Sequence, residues 1–228
     1  MRLIMVRHGE PDYTNDCLTP EGRLQAAAAA ERLETEGISE IYSSPMGRAR
    51  ETASFTADRL GLPVTVLDFM HEISWGGPGV PENGHPWTLS ERMIADEDFD
   101  FFSSSWRNHP YYSANVATEY FDLVSARFDA FLSARGYVRD GGRFRCVQAN
   151  DRTIALFSHG GSGACVLASL LSLPFPYVAT VMPYDFTSII ILDFPSLPGQ
   201  HVFPRLALFN DIAHLRRVSR PAFQQTPD

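Results

Sequence analysis

The 228-residue chain is poor in several features that would take it out of the ordinary globular class. It has only three cysteines, Cys17, Cys146 and Cys165, scattered and odd in number, with no CxxC pair and no Cys/His spacing suited to zinc. Neither a disulfide scaffold nor a metal site is expected, and a reducing, cytoplasmic setting fits best. The first eight residues, Met1 to His8, hold four consecutive apolar residues and no small-residue cleavage site, so no secretory leader is expected. Long apolar runs are also missing. The segment Ala164 to Pro183 is almost free of charge, but Pro174, Pro176 and Pro183 interrupt it. The run before Pro174 is far short of the ~20 residues a spanning helix needs. It reads as a buried helix followed by an extended turn, and no membrane association is expected. Bases are in deficit, 19 Lys and Arg against 27 Asp and Glu, for a net charge of −8. That balance argues against non-specific nucleic-acid binding and, more weakly, against an anionic substrate.

What is present is ordinary globular material. Hydrophobic residues make up 44% and charged residues 20%, which excludes disorder, collagen and coiled coil. The length is ample for a buried core. No internal repeat occurs. Leu3-Ile4-Met5-Val6 is apolar on both faces, as in a central strand covered on both sides. Thr19-Pro20 is a helix start, with Thr as N-cap and Pro at the first position, and the Ala-rich helix runs to about Glu36 before Gly37. Ile41-Tyr42-Ser43 is a short strand. Ser44-Pro45 starts a second helix that runs to Leu60 and stops at Gly61. Val64 to Leu67 is a further strand. From Gly76 to about Val116 the pattern dissolves into Gly, Pro, Trp and an acidic-aromatic run, an insertion that is part helical. Phe121, Val124, Phe128 and Phe131 then show helical spacing up to Gly136. Tyr137 to Arg139 and Arg143 to Arg145 flank a turn and predict a hairpin. Thr153 to Ser158 is a buried strand that leads into a helix, and Ser188 to Leu192 and Val202 to Leu208 are late strands. Strands alternate with helices, so the class is α/β with a mainly parallel sheet.

Two strands end in His followed by Gly: Val6-Arg7-His8-Gly9 and Phe157-Ser158-His159-Gly160. Open α/β sheets bind ligands beyond the carboxyl ends of their strands, so both imidazoles are expected to face one crevice. Arg7 adjoins His8, and Arg48 lies in the first part of a helix that follows another strand. A helix N-terminus and guanidinium forks together match the geometry of a phosphate. The constellation suggests that one His attacks phosphorus while the other cations hold the remaining oxygens. The alkoxide leaving group then needs a proton donor, and Glu72, just after the 64–67 strand, is the candidate acid.

In order along the chain, Arg7-His8-Gly9-Glu10, Leu18-Thr19-Pro20-Glu21-Gly22 with Gln25-Ala26, Ser43-Ser44-Pro45 with Arg48-Ala49 and Thr52, Glu72 with Gly76, Ser158-His159-Gly160, and Asn210-Asp211 with His214-Leu215 resemble the signature segments of the histidine phosphatase superfamily, also called phosphoglycerate mutase-like. The resemblance covers most of the chain. It implies a three-layer α/β/α sandwich with helices on both faces of a mainly parallel sheet. It further implies one domain over residues 1–228, with an insertion or lid at about 77–116. By the same resemblance His8 is the phosphoryl-accepting nucleophile, Glu72 the general acid, and Arg7, Arg48 and His159 the rest of the phosphate pocket, with Gly9 and Gly160 at the two strand ends. No metal or other cofactor is implied. The sequence departs from the family pattern after the nucleophile. Many members have Thr three positions and Asn six positions after it, where this chain has Pro11 and Thr14. Pro11 offers neither hydroxyl nor N–H, and Thr14 or Asn15 is the candidate replacement.

A phosphatase for a small organic phosphate is the preferred expectation. The alternative is a mutase-type isomerase, which adds basic residues in the insertion to hold a second anionic group. Here Gly77 to Val116 carries Glu82, Glu91, Asp96, Glu97, Asp98 and Asp100 against only Arg92 and Arg107. Trp75, Trp87, Trp106, Tyr111 and Tyr112 are available to contact an aromatic or apolar substrate, or else build the core of the insertion. A serine-hydrolase reading rests on Ser162 with Asp193 or Asp211 and His201 or His214, and leaves Arg48 unexplained. A non-catalytic phosphate-binding relative is favoured only by Pro11. His71 sits next to Glu72 as a candidate for the mouth of the site. His85, His109, His201 and His214 read as structural or exposed, and the basic tail at Arg216, Arg217 and Arg220 as a solvated terminus. The oligomeric state stays open, with a homodimer among the options.

Overall fold

The computed structural model describes residues 1–77, 95–96 and 99–217. In chain order the elements are β1 (Arg2–Arg7), β2 (Pro11–Asp12), β3 (Cys17–Leu18), α1 (Pro20–Leu33), β4 (Glu40–Ser43), α2 (Gly47–Leu60), β5 (Val64–Val66), α3 (Pro110–Ser113), α4 (Val116–Ser133), β6 (Tyr137–Asp140), β7 (Arg143–Cys146), β8 (Thr153–Ser158), α5 (Gly160–Leu171), α6 (Phe175–Val181), β9 (Ile189–Asp193), β10 (His201–Val202) and β11 (Arg205–Asp211). Short 3₁₀ turns at Asp68–Met70, Ser104–Asn108 and Ala213–Arg217 punctuate them.

The main sheet has the order β11-β9-β1-β8-β4-β5. β1, β8, β4 and β5 run parallel, and β9 and β11 close one edge antiparallel. Side chains of the central strands alternate between two cores. Leu3, Met5, Ile154, Leu156, Ile190 and Leu192 point into one, with residues of α4, α5 and α6. Ile4, Val6, Ala155, Phe157, Ile189 and Ile191 point into the other, against residues of α1 and α2. A strand apolar at every position is therefore buried on both faces, and the sheet is the middle layer of three. β10, β7 and β6 form a separate small sheet.

Local chemistry sets the ends of the helices. Thr19 caps α1 by accepting from the Gly22 N–H, with Pro20 in the first turn. Gly61, at φ 65°, ends α2 in the left-handed conformation that glycine tolerates. Three expectations need correction. The second helix starts at Gly47 rather than Ser44, because the Ser44 hydroxyl serves His159 and the Met46 N–H instead of a cap. The segment after α5 is not an extended turn. Pro174 and Pro176 start helix α6, since the missing proline N–H is one the first turn leaves unbonded anyway. The strand expected at 202–208 is two strands in two sheets, split at Pro204, which cannot donate to a ladder.

Residues 78–94 and 97–98 of the insertion lie outside the described residues, and so do Trp87, His85 and the tail from residue 218. The part that is described, 99–116, is partly helical and packs by its rings. Trp106 meets Tyr112 edge-on at 5.3 Å, and Phe101 meets His109 at 4.6 Å.

Candidate active site

Strand register brings the two histidines together. β1 pairs with β8 so that Arg7 lies beside Ser158, and the His8 N–H continues the ladder onto the Ser158 carbonyl at 3.0 Å. His8 and His159 thus leave the sheet side by side, their ring centroids 5.0 Å apart. β4 pairs with β8 on the other side, and the Ser44 N–H donates to the Phe157 carbonyl. That places the Ser44 hydroxyl 2.7 Å from His159 Nε2.

His8 is held in one tautomer. Its Nδ1 lies 2.7 Å from the Gly9 carbonyl, which can only accept, so Nδ1 carries the hydrogen. Nε2 keeps its lone pair and accepts from Arg48 Nε at 3.3 Å. Burial first, and then the charges of Arg7 and Arg48, push the His8 pKa down to about 3, against the hydrogen bond to Gly9. The ring is neutral at neutral pH, as a nucleophile must be. His159 is lowered as well, by burial and then by His8 and the two arginines. Ser44 Oγ accepts from the Met46 N–H and lies 2.7 Å from His159 Nε2; where its own hydrogen goes to Nε2, Nδ1 is the N–H donor. That Nδ1 is buried without a protein partner, and so is Arg7 Nε. Buried donors of this kind normally have acceptors, and two of them here flank one strand end.

The Arg7 guanidinium lies against Gly160, where a Cβ would come within 3.6 Å of Cζ. It donates to the Tyr184 carbonyl and covers the Phe186 ring at 4.3 Å. Arg48 is 4% exposed. Its Nη1 donates to Asp16 Oδ1 at 2.6 Å, and Asp16 Oδ2 accepts from the Gly47 N–H at 2.6 Å. Partial burial works against the Asp16 charge, but the Gly47 and Arg48 bonds outweigh it and hold the carboxyl below its usual range.

Glu72 reaches the start of α5, immediately after His159. Its Oε1 accepts from the N–H groups of Ile73 (2.9 Å) and Ser162 (3.0 Å), and Oε2 accepts from Gly161 (3.4 Å). Burial raises its pKa, and these N–H groups and Arg7 only partly offset the rise. A carboxyl that burial makes harder to ionise holds its proton longer than a free one, as a proton donor must. Gly161 is required there, since a Cβ would sit 2.7 Å from Glu72 Oε1 and 2.5 Å from Ile73 Cγ1.

The remaining motif residues hold this pocket in shape. Thr52 Oγ1 accepts from the Gly9 N–H and donates to the Arg48 carbonyl, which ties the His8 loop to α2. Gln25 Oε1 accepts from the Glu10 N–H, and Thr19 Oγ1 donates to Glu10 Oε1. Gly9 and Gly22 sit back to back; a Cβ on Gly9 would come 2.6 Å from the Gly22 carbonyl oxygen. At the C-terminal end Asn210 bonds Asp185, and His214 Nε2 meets Thr187 Oγ1, while the Thr187 N–H donates to the Arg7 carbonyl. His214, expected only to be structural, thus secures the segment that covers Arg7.

The structure brings Arg7, His8, Gly9, Arg48, Glu72, His159 and Gly160 into one cluster. Thr14 and Asn15 lie on an exposed turn between Tyr13 and Asp16, where they bond Asp12, whose Oδ2 accepts from Asn15 Nδ2 at 2.7 Å. Asp16, not singled out from the sequence, reaches Arg48 instead. Its only sequence signal is a carboxylate just past the turn that Asp12 already closes. Phe186 and Tyr184 were also missed, since nothing in their local pattern marks a site. His71 stacks edge-on with Tyr120 and bonds the Glu72 carbonyl through Nδ1. Trp106 and Tyr112 are core residues. Ser162 Oγ donates to the Met70 carbonyl, and His201 pairs with Asp140 on the small sheet, so no serine triad forms from them. Among the described residues no group of three or more His, Cys, Asp and Glu is placed to hold a metal, and no helix is long and apolar enough to cross a membrane.

The chain is similar to known proteins. The profile of the histidine phosphatase superfamily (branch 1) matches residues 3–200. A glucosyl-3-phosphoglycerate phosphatase of Mycobacterium tuberculosis is 30% identical over 182 residues, 76% of each chain. A protein named probable phosphoglycerate mutase from Citrobacter koseri is 28% identical over 187 residues, again 76% of each. A phosphoserine phosphatase variant of Entamoeba histolytica, solved with phosphoserine, has a TM-score of 0.64 at 22% identity, covering 94% of this chain and 98% of its own. A match over nearly the whole described chain, on top of the paired strand-end histidines, places this protein in the histidine phosphatase superfamily.

Proposed function

We propose that the chain hydrolyses small organic phosphomonoesters through a phosphohistidine at His8. The observation that carries this is the His8 ring itself: neutral, locked with its hydrogen on Nδ1, and with the Nε2 lone pair facing Arg48. The phosphoryl oxygens go to Arg48 and to the two open donors, Arg7 Nε and His159 Nδ1. Nε2 attacks phosphorus, the ester P–O bond breaks, and the leaving alkoxide takes a proton from Glu72. Water then attacks the phosphohistidine and gives its proton to the Glu72 carboxylate. Inorganic phosphate leaves, and His8 and Glu72 are restored. The reading includes one catalytic unit with residues 77–116 as its lid, working in the cytoplasm, where three free thiols persist.

Incubation with a phosphate-labelled ester and rapid denaturation tests it. The expected product is a protein-bound phosphate that survives base and is lost in acid. Steady hydrolysis with no such species overturns the mechanism.

The name of the Citrobacter relative raises isomerisation as a second reading. Arg107, the described arginine of the insertion, is paired through both Nη groups with Asp122, which leaves it poorly placed for a second anionic group. In a panel that includes phosphoserine and 3-phosphoglycerate, hydrolysis is expected to exceed phosphoglycerate isomerisation. The reverse order would transfer the chain to the mutases.

A further inference from the structure

Arg48 is buried next to the nucleophile, so the direction in which its guanidinium points decides what it can hold. A guanidinium has two binding edges: Nε with one terminal nitrogen, and the two terminal nitrogens together. In this chain Asp16 Oδ1 takes Nη1, and Nε is turned to His8 Nε2 at 3.3 Å. The edge left facing the nucleophile is Nε with Nη2, two parallel donors matched to two oxygens of one phosphoryl group. We propose that Asp16 is the positioning residue that aims Arg48, presenting this edge to the phosphoryl group as it transfers to His8. The inference rests on the phosphohistidine reading above.

Asp16 is itself held firmly. Its Oδ2 accepts from the Gly47 N–H, and its backbone is in the left-handed region at φ 48°. Gly47 has no room for a side chain, because a Cβ would lie 2.1 Å from the Asp16 carbonyl oxygen. The short β2–β3 pairing of Pro11 with Leu18 and Asp12 with Cys17 closes the turn that carries it. The Asp12 side chain takes the N–H groups of Thr14 and Asn15, so Asp16 is free to face α2. Thr14 and Asn15 organise the turn, and Asp16 meets Arg48.

Asp16→Ala and Asp16→Asn, each in the parent and in Arg48→Ala, test this with p-nitrophenyl phosphate and with vanadate as inhibitor. Asp16→Ala is expected to lower kcat/KM about 10²-fold, as small misplacements of a catalytic group do, and to weaken vanadate inhibition. Asp16→Asn keeps an acceptor for Nη1 and is expected to recover much of that loss. In Arg48→Ala, removing Asp16 is expected to cost almost nothing more, since residues that act through one another are non-additive. An equal loss in both backgrounds reduces Asp16 to a support of the turn and overturns the proposal. Tighter vanadate binding in Asp16→Ala also overturns it, by showing that Asp16 competes with phosphate. If Asp16→Ala fails to fold, Asp16→Asn and its Arg48→Ala partner carry the same comparison. His8→Asn separates the two levels: full turnover in that variant removes the phosphohistidine reading, whereas its inactivity beside an unaffected Asp16→Ala removes only this inference.

Discussion

Two buried regions of this molecule contain histidine and aromatic rings, and they are built differently. At the carboxyl end of β1 and β8, His8, His159, Arg48 and Ser44 are buried, and each polar atom has a specific partner or stands as an open donor. Between residues 99 and 131, Phe101, Trp106, His109, Tyr112 and Phe121 meet mostly edge to face, with Trp106 5% exposed. The first region places polar groups at positions that strand register determines. The second removes apolar area from water. Histidine occurs in both, so residue type does not distinguish them. The partners do: His109 caps α3 among rings, whereas His8 has an arginine on its lone pair.

Substitutions in the two regions should therefore separate activity from stability. His8→Asn is expected to lower phosphatase activity by on the order of 10³-fold or more, with the melting temperature little changed and no phosphoenzyme formed. Comparable turnover in that variant breaks the contrast altogether. Glu72→Gln is expected to cost roughly 10²–10⁴-fold on an alkyl phosphate, and far less on p-nitrophenyl phosphate, whose leaving group needs little protonation. An equal loss on both esters would show Glu72 to be a support for α5 rather than an acid. Trp106→Ala is expected to lower unfolding free energy by about 3–5 kcal/mol in urea titrations and to leave turnover of the folded fraction close to the parent value.

The last prediction is the pH dependence of stability. Unfolded histidine titrates at about 6.5, and the folded His8 value lies at about 3. Between these values the unfolded chain binds a proton that the folded chain refuses, so stability falls as pH falls through that window. His159 acts in the same direction. Urea titrations at intervals from pH 7 to pH 4 should show a shallower decline in His8→Asn than in the parent. Identical slopes would mean that His8 is not buried neutral.

The central strands, the bodies of the first two long helices and the paired histidines were legible in the sequence, because apolar runs, the Thr19-Pro20 start, the Gly61 stop and His-Gly strand ends have local causes. The role of Asp16 was not legible. It depends on a left-handed residue bringing a carboxylate to a helix that starts 31 positions later. The function of the aromatic insertion was open for a similar reason, since a Trp that packs and a Trp that binds look alike until their neighbours are known. Proline misled twice: at 174–176 it starts a helix, and at 204 it divides a strand between two sheets.

The place of β1 in the sheet also shapes how the chain is made. Its neighbours are β8, at residues 153–158, and β9, at residues 189–193. The strand that delivers the nucleophile is therefore synthesised about 150 residues ahead of the first of its partners. At about 5–20 residues per second, Leu3 to Val6 wait roughly 7–30 s for the first of them. Through that interval four apolar side chains and an open strand edge are exposed on the nascent chain. Pairing of such high contact order folds slowly, and the phosphate pocket can form only once β8 and the His159 that follows it have been synthesised.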